Sequence, residues 1–167
     1  FRKAFDSIWR KGLWKVLRSM GYPETIVRLL EKLYSGTFSA VRVGADITEW
    51  FETVVGVLQG CILSPILFNI FLEIIMARAL CDMEAGAAIN GYLINNLRFA
   101  DDIATTAESE KDLQLVDGIV SESARMGMSV NVEKTEVQHI GPHKRDVDVG
   151  ISIRNRTLTQ VEEFVYL

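Results

Sequence analysis

The sequence is poor in the residues that staple small folds or bind metals. Cys61 and Cys81 are its only cysteines, too few for a disulfide framework, and that usage favours a reducing compartment. His139 and His143, its only histidines, straddle Gly141-Pro142, where neither helical nor strand geometry aligns them, so no zinc site is expected there. Long hydrophobic runs are missing too. The longest, residues 66–80, is interrupted by Asn69, Glu73 and Arg78 and falls short of the ~20 residues a membrane span needs. It reads as a buried helix, and no membrane partner is expected. No signal peptide opens the chain. No internal repeat, low-complexity tract or clear linker divides it.

What is present is a foldable core. With 49% hydrophobic residues in 167, disorder is excluded and one domain is expected. The net charge of −4 argues against nucleic acid at face value, but its distribution is uneven. Residues 1–50 hold nine Lys or Arg against five acids, and residues 51–167 nine against seventeen. A basic start can lie against phosphates while the acidic remainder faces water or metal. The chain begins at Phe1 without an initiator Met and stops inside the apolar run 164–167, which reads as a fragment.

Periodicity predicts helices and antiparallel hairpins segregated along the chain, an α+β arrangement. Asp6 or Ser7 is expected to cap a helix running to about Met20, with Trp9, Leu13, Val16, Leu17 and Met20 as its apolar stripe and Gly21 as its stop. Pro23 opens a second helix with Ile26, Val27, Leu30, Leu33 and Tyr34 on one face. Strands are expected over 38–43 and 47–55, joined at Gly44-Ala45-Asp46. Ser64 caps the 66–80 helix, with Pro65 in its first turn. Short strands follow over 91–95, 97–100 and 103–107. A helix capped by Ser109, with the stripe Leu113, Val116, Val120 and Ala124, closes at Gly127. The tail from Met128 alternates short strands and turns.

Chemistry concentrates at Phe99-Ala100-Asp101-Asp102. Two adjacent carboxylates sit at the tip of an apolar hairpin flanked by Leu97, Phe99, Ile103 and Ala104. Like charges so placed call for a counter-charge, and a hard divalent cation takes oxygen ligands. Asp-Asp dipeptides also occur in ordinary solvated turns, so the pair alone leaves both readings open.

Three further segments decide between them. Gly56-Val57-Leu58-Gln59-Gly60-Cys61-Ile62-Leu63-Ser64-Pro65 resembles a reverse transcriptase signature, a Gly-X-X-Gln-Gly loop leading into Leu-Ser-Pro. Phe99-Ala100-Asp101-Asp102 resembles the Phe/Tyr-X-Asp-Asp box that follows it. Residues 127–135, ending Asn131-Val132-Glu133-Lys134-Thr135, are similar to the next block, and Phe1-Arg2-Lys3-Ala4-Phe5-Asp6 to the block that precedes them all. In order and spacing the chain is similar to the palm of non-LTR (LINE-type) retrotransposon reverse transcriptases, with group II intron enzymes as near relatives. The resemblance covers nearly all 167 residues as one reverse transcriptase domain. It places a fingers-like hairpin near 36–55 and the start of a thumb-proximal region near 160–167.

The resemblance implies an RNA-directed DNA polymerase that joins a dNTP to a primer 3′ hydroxyl on an RNA template, using Mg²⁺ (with Mn²⁺ able to replace it). It implies Asp101 as the firmer metal ligand and Asp102 as the supporting carboxylate. Phe5 would pack under the incoming sugar and select against a 2′ hydroxyl, and Gln59 and Gly60 would meet the nucleotide. Ser64 and Pro65 would lie near the template, and Lys134 would donate a proton to leaving pyrophosphate. Cytoplasm and nucleus are the compartments expected of such an enzyme.

Two departures temper this. Glu136 stands where the family often has a basic residue. The family's first-box aspartate would immediately precede Phe1, and Asp6, read as a cap or local structural acid, does not replace it. The isolated chain is therefore expected to bind Mg²⁺ poorly and not to extend a primer. The alternative is a non-catalytic nucleic-acid-binding or structural palm from a decayed element. A nucleotide cyclase palm is disfavoured, because such enzymes lack the Gln-Gly and Leu-Ser-Pro loop.

Overall fold

The computed structural model describes residues 1–81, 86–114, 116–141 and 149–164. These group into two compact units, one of Phe5–Ile74 and one of Phe1–Ala4 with the residues from Ile75 onward.

In the first unit, Phe5–Ser7 form a 3₁₀ turn and α1 follows at Arg10–Ser19. Leu13, Trp14, Val16 and Leu17 bury one face of α1, while Trp9 and Met20 from the expected stripe stay exposed. Neither Asp6 nor Ser7 caps the helix. Trp9 occupies the cap position with no side-chain bond, because Asp6 and Ser7 belong to the preceding 3₁₀ turn and α1 starts only at Arg10. The stop is as expected. Gly21 is left-handed (φ 81°), and the Gly21 and Tyr22 amides donate to Arg18 O and Leu17 O, both at 3.1 Å, which satisfies carbonyls the helix leaves unpaired.

Helix α2 spans Glu24–Tyr34, with Pro23 just outside at its cap. Of its expected face only Val27 and Tyr34 are buried; Ile26 and Leu33 are exposed. Strands β1 (Phe38–Ser39), β2 (Arg42–Val43), β3 (Asp46–Ile47) and β4 (Phe51–Glu52) make the hairpin, β2 pairing β3 and β1 pairing β4, all antiparallel. The two long strands expected here are each broken in half. The Val41 amide donates to the Thr48 hydroxyl at 2.9 Å, so a side chain takes a place in the ladder. Helix α3 (Leu63–Ala79) begins in this unit and continues into the other. Its buried apolar residues are Leu67, Phe68, Phe71, Leu72, Ile75 and Met76, whereas Ile66 is exposed. A helix expected to be buried thus hides one face, because its buried residues recur at helical spacing.

In the second unit, β5 (Ala87–Ile89) pairs with β6 (Tyr92–Ile94) and β7 (Asn96–Phe99) with β8 (Asp102–Thr105), both antiparallel. The Ser109 cap forms: its hydroxyl accepts the Asp112 amide at 3.1 Å. The helix it opens is short, α4 (Glu110–Leu113), and α5 (Val116–Arg125) follows separately. Ile119, Val120 and Ser123 are the buried residues of α5; Ala124, from the expected stripe, is exposed. Gly127 and Met128 amides close α5 on Ala124 O and Ser123 O.

Beyond a 3₁₀ turn at Val132–Lys134 come β9 (Glu136–Val137), β10 (Ser152–Ile153), β11 (Arg156–Thr157) and β12 (Thr159–Gln160). β10 pairs β11 antiparallel, and β12 returns parallel to β9. Val120, Val137, Val149, Ile151, Ile153 and Leu158 form the core of this unit. Pro142 and His143 lie outside the described residues, as do the last three of the expected thumb-proximal stretch. The chain is α+β, helices with small and mainly antiparallel sheets. Among the described residues no helix is long and apolar enough to cross a membrane.

Candidate active site

Within Phe5–Ile74, two segments some fifty residues apart are strapped together. The Gly56 amide donates to Ile8 O and the Val57 amide to Phe5 O, both at 2.8 Å. Gln59 Nε2 donates to Asp6 Oδ1 at 2.9 Å. The approach is close enough to require glycine at 56: its φ is +80°, and a Cβ there would stand 2.8 Å from the Asp6 Cα and carbonyl oxygen. Gly60 differs. Its φ is +79°, but a Cβ there would meet no atom within 4 Å among the described residues, so the demand is conformational only.

Phe5 is half-buried and stacks on Phe68, ring centroids 4.9 Å apart and planes at 22°, a contact contributing about 0.5–1.5 kcal/mol beyond area burial. Ser64, one helical turn before Phe68, is 1% exposed. Its hydroxyl donates to Leu58 O and lies 3.4 Å from the Tyr34 hydroxyl. That differs from a cap, in which the oxygen accepts from a helix amide. Pro65 is exposed.

Arg10 braces this loop from behind. Its Nε donates to Gly56 O at 2.7 Å. Its Nη1 reaches Tyr34 O and Thr37 Oγ1 at 2.9 Å and Thr53 O at 2.6 Å. The guanidinium also lies 5.1 Å from the Tyr34 ring centroid. Arg10 is 7% exposed, and burial lowers its pKa below the usual arginine value, with Tyr34 opposing. All four acceptors are neutral oxygens, so hydrogen bonds rather than a counter-ion offset the loss of water.

In the other unit the acidic hairpin turns over two residues. Phe99 pairs with Asp102, and Ala100 takes φ +50°, a strained value for a residue with a Cβ. Asp101 lies in the turn and Asp102 opens β8. The α-amino nitrogen of Phe1 is 3.7 Å from Asp101 Oδ2. The Arg2 amide donates to Ser129 O at 2.8 Å, and its guanidinium lies 3.4 Å from Glu133, which also meets Arg156 at 3.5 Å. Lys134 is exposed at the end of that turn, and Glu136 is exposed in β9.

Adjacent hard carboxylate oxygens at a hairpin tip are the donor type that a divalent ion takes. Among the described residues no three His, Cys, Asp or Glu gather as a metal site.

The family model for reverse transcriptase (RNA-dependent DNA polymerase) matches residues 1–167. The chain belongs to the reverse transcriptase family. It is 33% identical over 133 residues to the retrovirus-related Pol polyprotein from the type-2 retrotransposable element R2DM of Drosophila melanogaster, covering 79% of this chain and 12% of that protein. A Pol polyprotein from the type-1 element R2 of Popillia japonica is 29% identical over 137 residues, 80% of this chain and 22% of that one. The RNA-directed DNA polymerase from the mobile element jockey of Drosophila funebris is 25% identical over 177 residues, 99% of this chain and 18% of that one. The chain thus spans less than a quarter of the length of each. These relatives are named as Pol polyproteins of retrotransposable elements and an RNA-directed DNA polymerase of a mobile element.

Within one unit Phe5 and Asp6 contact the Gln-Gly loop; within the other Phe1 contacts the Asp-Asp hairpin, and Arg2 contacts residues 129 and 133. Two residues of this arrangement escape a motif-based reading. Asp6 proves to be the acceptor for Gln59. Arg10 is readable in principle, because it shares the i, i+3, i+4, i+7 face with Leu13, Trp14 and Leu17, where a charged residue must be satisfied inside.

Proposed function

We propose that the chain is the catalytic palm of an RNA-directed DNA polymerase, acting as one reverse transcriptase domain on an RNA template, a DNA primer and dNTPs. The observation that carries the reading is the strapping of the Phe5–Ser7 turn to the Gly56–Gln59 loop around the Phe5–Phe68 stack. In it, a half-exposed aromatic and a side-chain amide are held within one small region.

On this reading Phe5 packs under the deoxyribose and its fixed ring leaves no room for a 2′ hydroxyl. Gln59 and the Gly60 backbone meet the incoming nucleotide. Ser64 shapes the loop by its bond to Leu58 O, and the exposed Pro65 lies toward the template. Asp101 and Asp102 hold the divalent ions, Mg²⁺ or Mn²⁺. Bound there, such ions lower the pKa of the primer hydroxyl and neutralise the pyrophosphate. Lys134 Nζ supplies the proton that leaving pyrophosphate takes up. The working compartments are cytoplasm and nucleus.

The test is primer extension on a primed RNA template by the polymerase carrying this chain, as wild type and as Asp101→Asn. Metal-dependent extension that disappears in the variant supports the reading. Extension surviving Asp101→Asn removes the site assignment, and a folded wild type that extends nothing favours a non-catalytic palm.

A further inference from the structure

The brace behind the Gln59 loop is more elaborate than folding of α1 requires. One guanidinium gathers the last carbonyl of α2 (Tyr34), the two threonines at the base of the hairpin (Thr37 and Thr53) and the Gly56 carbonyl, three residues before Gln59. The threonines also bond each other. Thr53 N–H donates to Thr37 O at 2.8 Å, and the Thr53 hydroxyl donates to Thr37 O at 3.0 Å. The hairpin base is therefore already closed without Arg10. What Arg10 adds is the link from that closed base to Gly56.

Gly56 is where the chain needs it. With φ at +80° and its backbone pressed on Asp6, the peptide has a narrow range of orientations. That orientation aims the Val57 amide at Phe5 O and the Gln59 side chain at Asp6. Geometry separates arginine from lysine here. Nε holds Gly56 O while Nη1 holds Tyr34 O, Thr37 Oγ1 and Thr53 O, so two nitrogens of one rigid plane act at once, whereas lysine brings a single nitrogen on a flexible stem.

We propose that Arg10 is a positioning residue for nucleotide selection, fixing the Gly56 peptide so that Gln59 presents its amide in one orientation. The proposal rests on the nucleotide-contacting role given to Gln59 above. It assigns Arg10 no contact with substrate.

Two measurements on Arg10→Lys test it. Hydrogen exchange on the 167-residue chain reads the Gly56 and Val57 amides, with the Met128 amide, bonded to Ser123 O in the other unit, as control. Primer extension by the polymerase carrying this chain reads dNTP KM and kcat separately. The expected result is about tenfold faster exchange at Gly56 and Val57, none at Met128, a dNTP KM raised about tenfold and kcat within about twofold. Arg10→Gly supplied with methylguanidinium is the second variant, for use if the lysine protein does not fold. Recovery of KM with that cation but not with ammonium is expected.

Unchanged exchange at Gly56 and Val57 overturns the brace. Faster exchange with unchanged KM overturns its role in nucleotide selection. Equal loss of kcat and of protection at Met128 shows general unfolding and also overturns the proposal. A wild type that does not polymerise defeats the functional reading, and exchange alone then decides the brace.

Discussion

Gln59 Nε2 donates to Asp6 Oδ1 at 2.9 Å across fifty-three residues of sequence. Both side chains are exposed, so the bond contributes little to stability, and its value lies in setting which way the amide points. In Asp6→Ala the amide is released. Unfolding free energy should shift by less than about 0.5 kcal/mol, while the dNTP KM of the polymerase rises severalfold. Urea melts and steady-state extension kinetics check the two halves separately.

The Phe5 ring is fixed on one side by Phe68. Phe5→Val removes that stack and the bulk proposed to exclude a 2′ hydroxyl. Ribonucleotide incorporation, measured as the ratio of rNTP to dNTP kcat/KM, should rise by at least tenfold. A ratio left unchanged in a folded variant would reduce Phe5 to a core aromatic.

The two glycines of the loop make a matched pair. Gly56→Ala adds a Cβ 2.8 Å from Asp6 backbone atoms at φ +80° and should cost more than about 2 kcal/mol. Gly60→Ala meets open space and bears only left-handed strain, about 1 kcal/mol. Denaturant midpoints of the two variants should therefore differ, Gly56→Ala lower.

Glu24 gives a pH signature. Arg18, and after it Arg28, hold its carboxyl at about 2, below the ordinary 4.5. A depressed acid contributes stability above its unfolded pKa and loses it as pH falls through the folded value. The α1–α2 connection should thus be intact at pH 5 and loosen between about pH 4.5 and 2, on this protein's own values. Carboxyl chemical shifts across that range check it. Arg18→Ala should move the Glu24 midpoint upward.

Much of this was legible where short-range rules act. Gly21 and Gly127 end their helices through bonds to residues three to five back, Ser109 caps from one turn away, and the Asp101-Asp102 hairpin follows from a turn between two apolar runs. Two of the misses trace to a partner distant in sequence, Asp6 and Arg10, while the broken strands trace to a bond across only seven residues. For Asp6, read as a cap or a local structural acid, nothing local shows that Gln59 will take its carboxylate. Strands 38–43 and 47–55 alternate well enough to run unbroken, yet Thr48 substitutes its hydroxyl for a backbone group. The α3 pattern is apolar nearly all round, so the pattern by itself does not mark which face is buried. The position of Arg10 on the buried face of α1 is readable, but its acceptors, lying 24 to 46 residues away, are not.

The neutrality of the acceptors around Arg10 bears on ionic strength. Dissolved salt screens charge against charge, and the Arg18 cluster with Glu24 and Glu31, exposed to water, will fade as the buffer is concentrated. A guanidinium sealed among carbonyl and hydroxyl oxygens has no opposite charge for ions to mask. The hold on Gly56 should therefore persist in brine strong enough to strip a nucleic acid from its surface contacts.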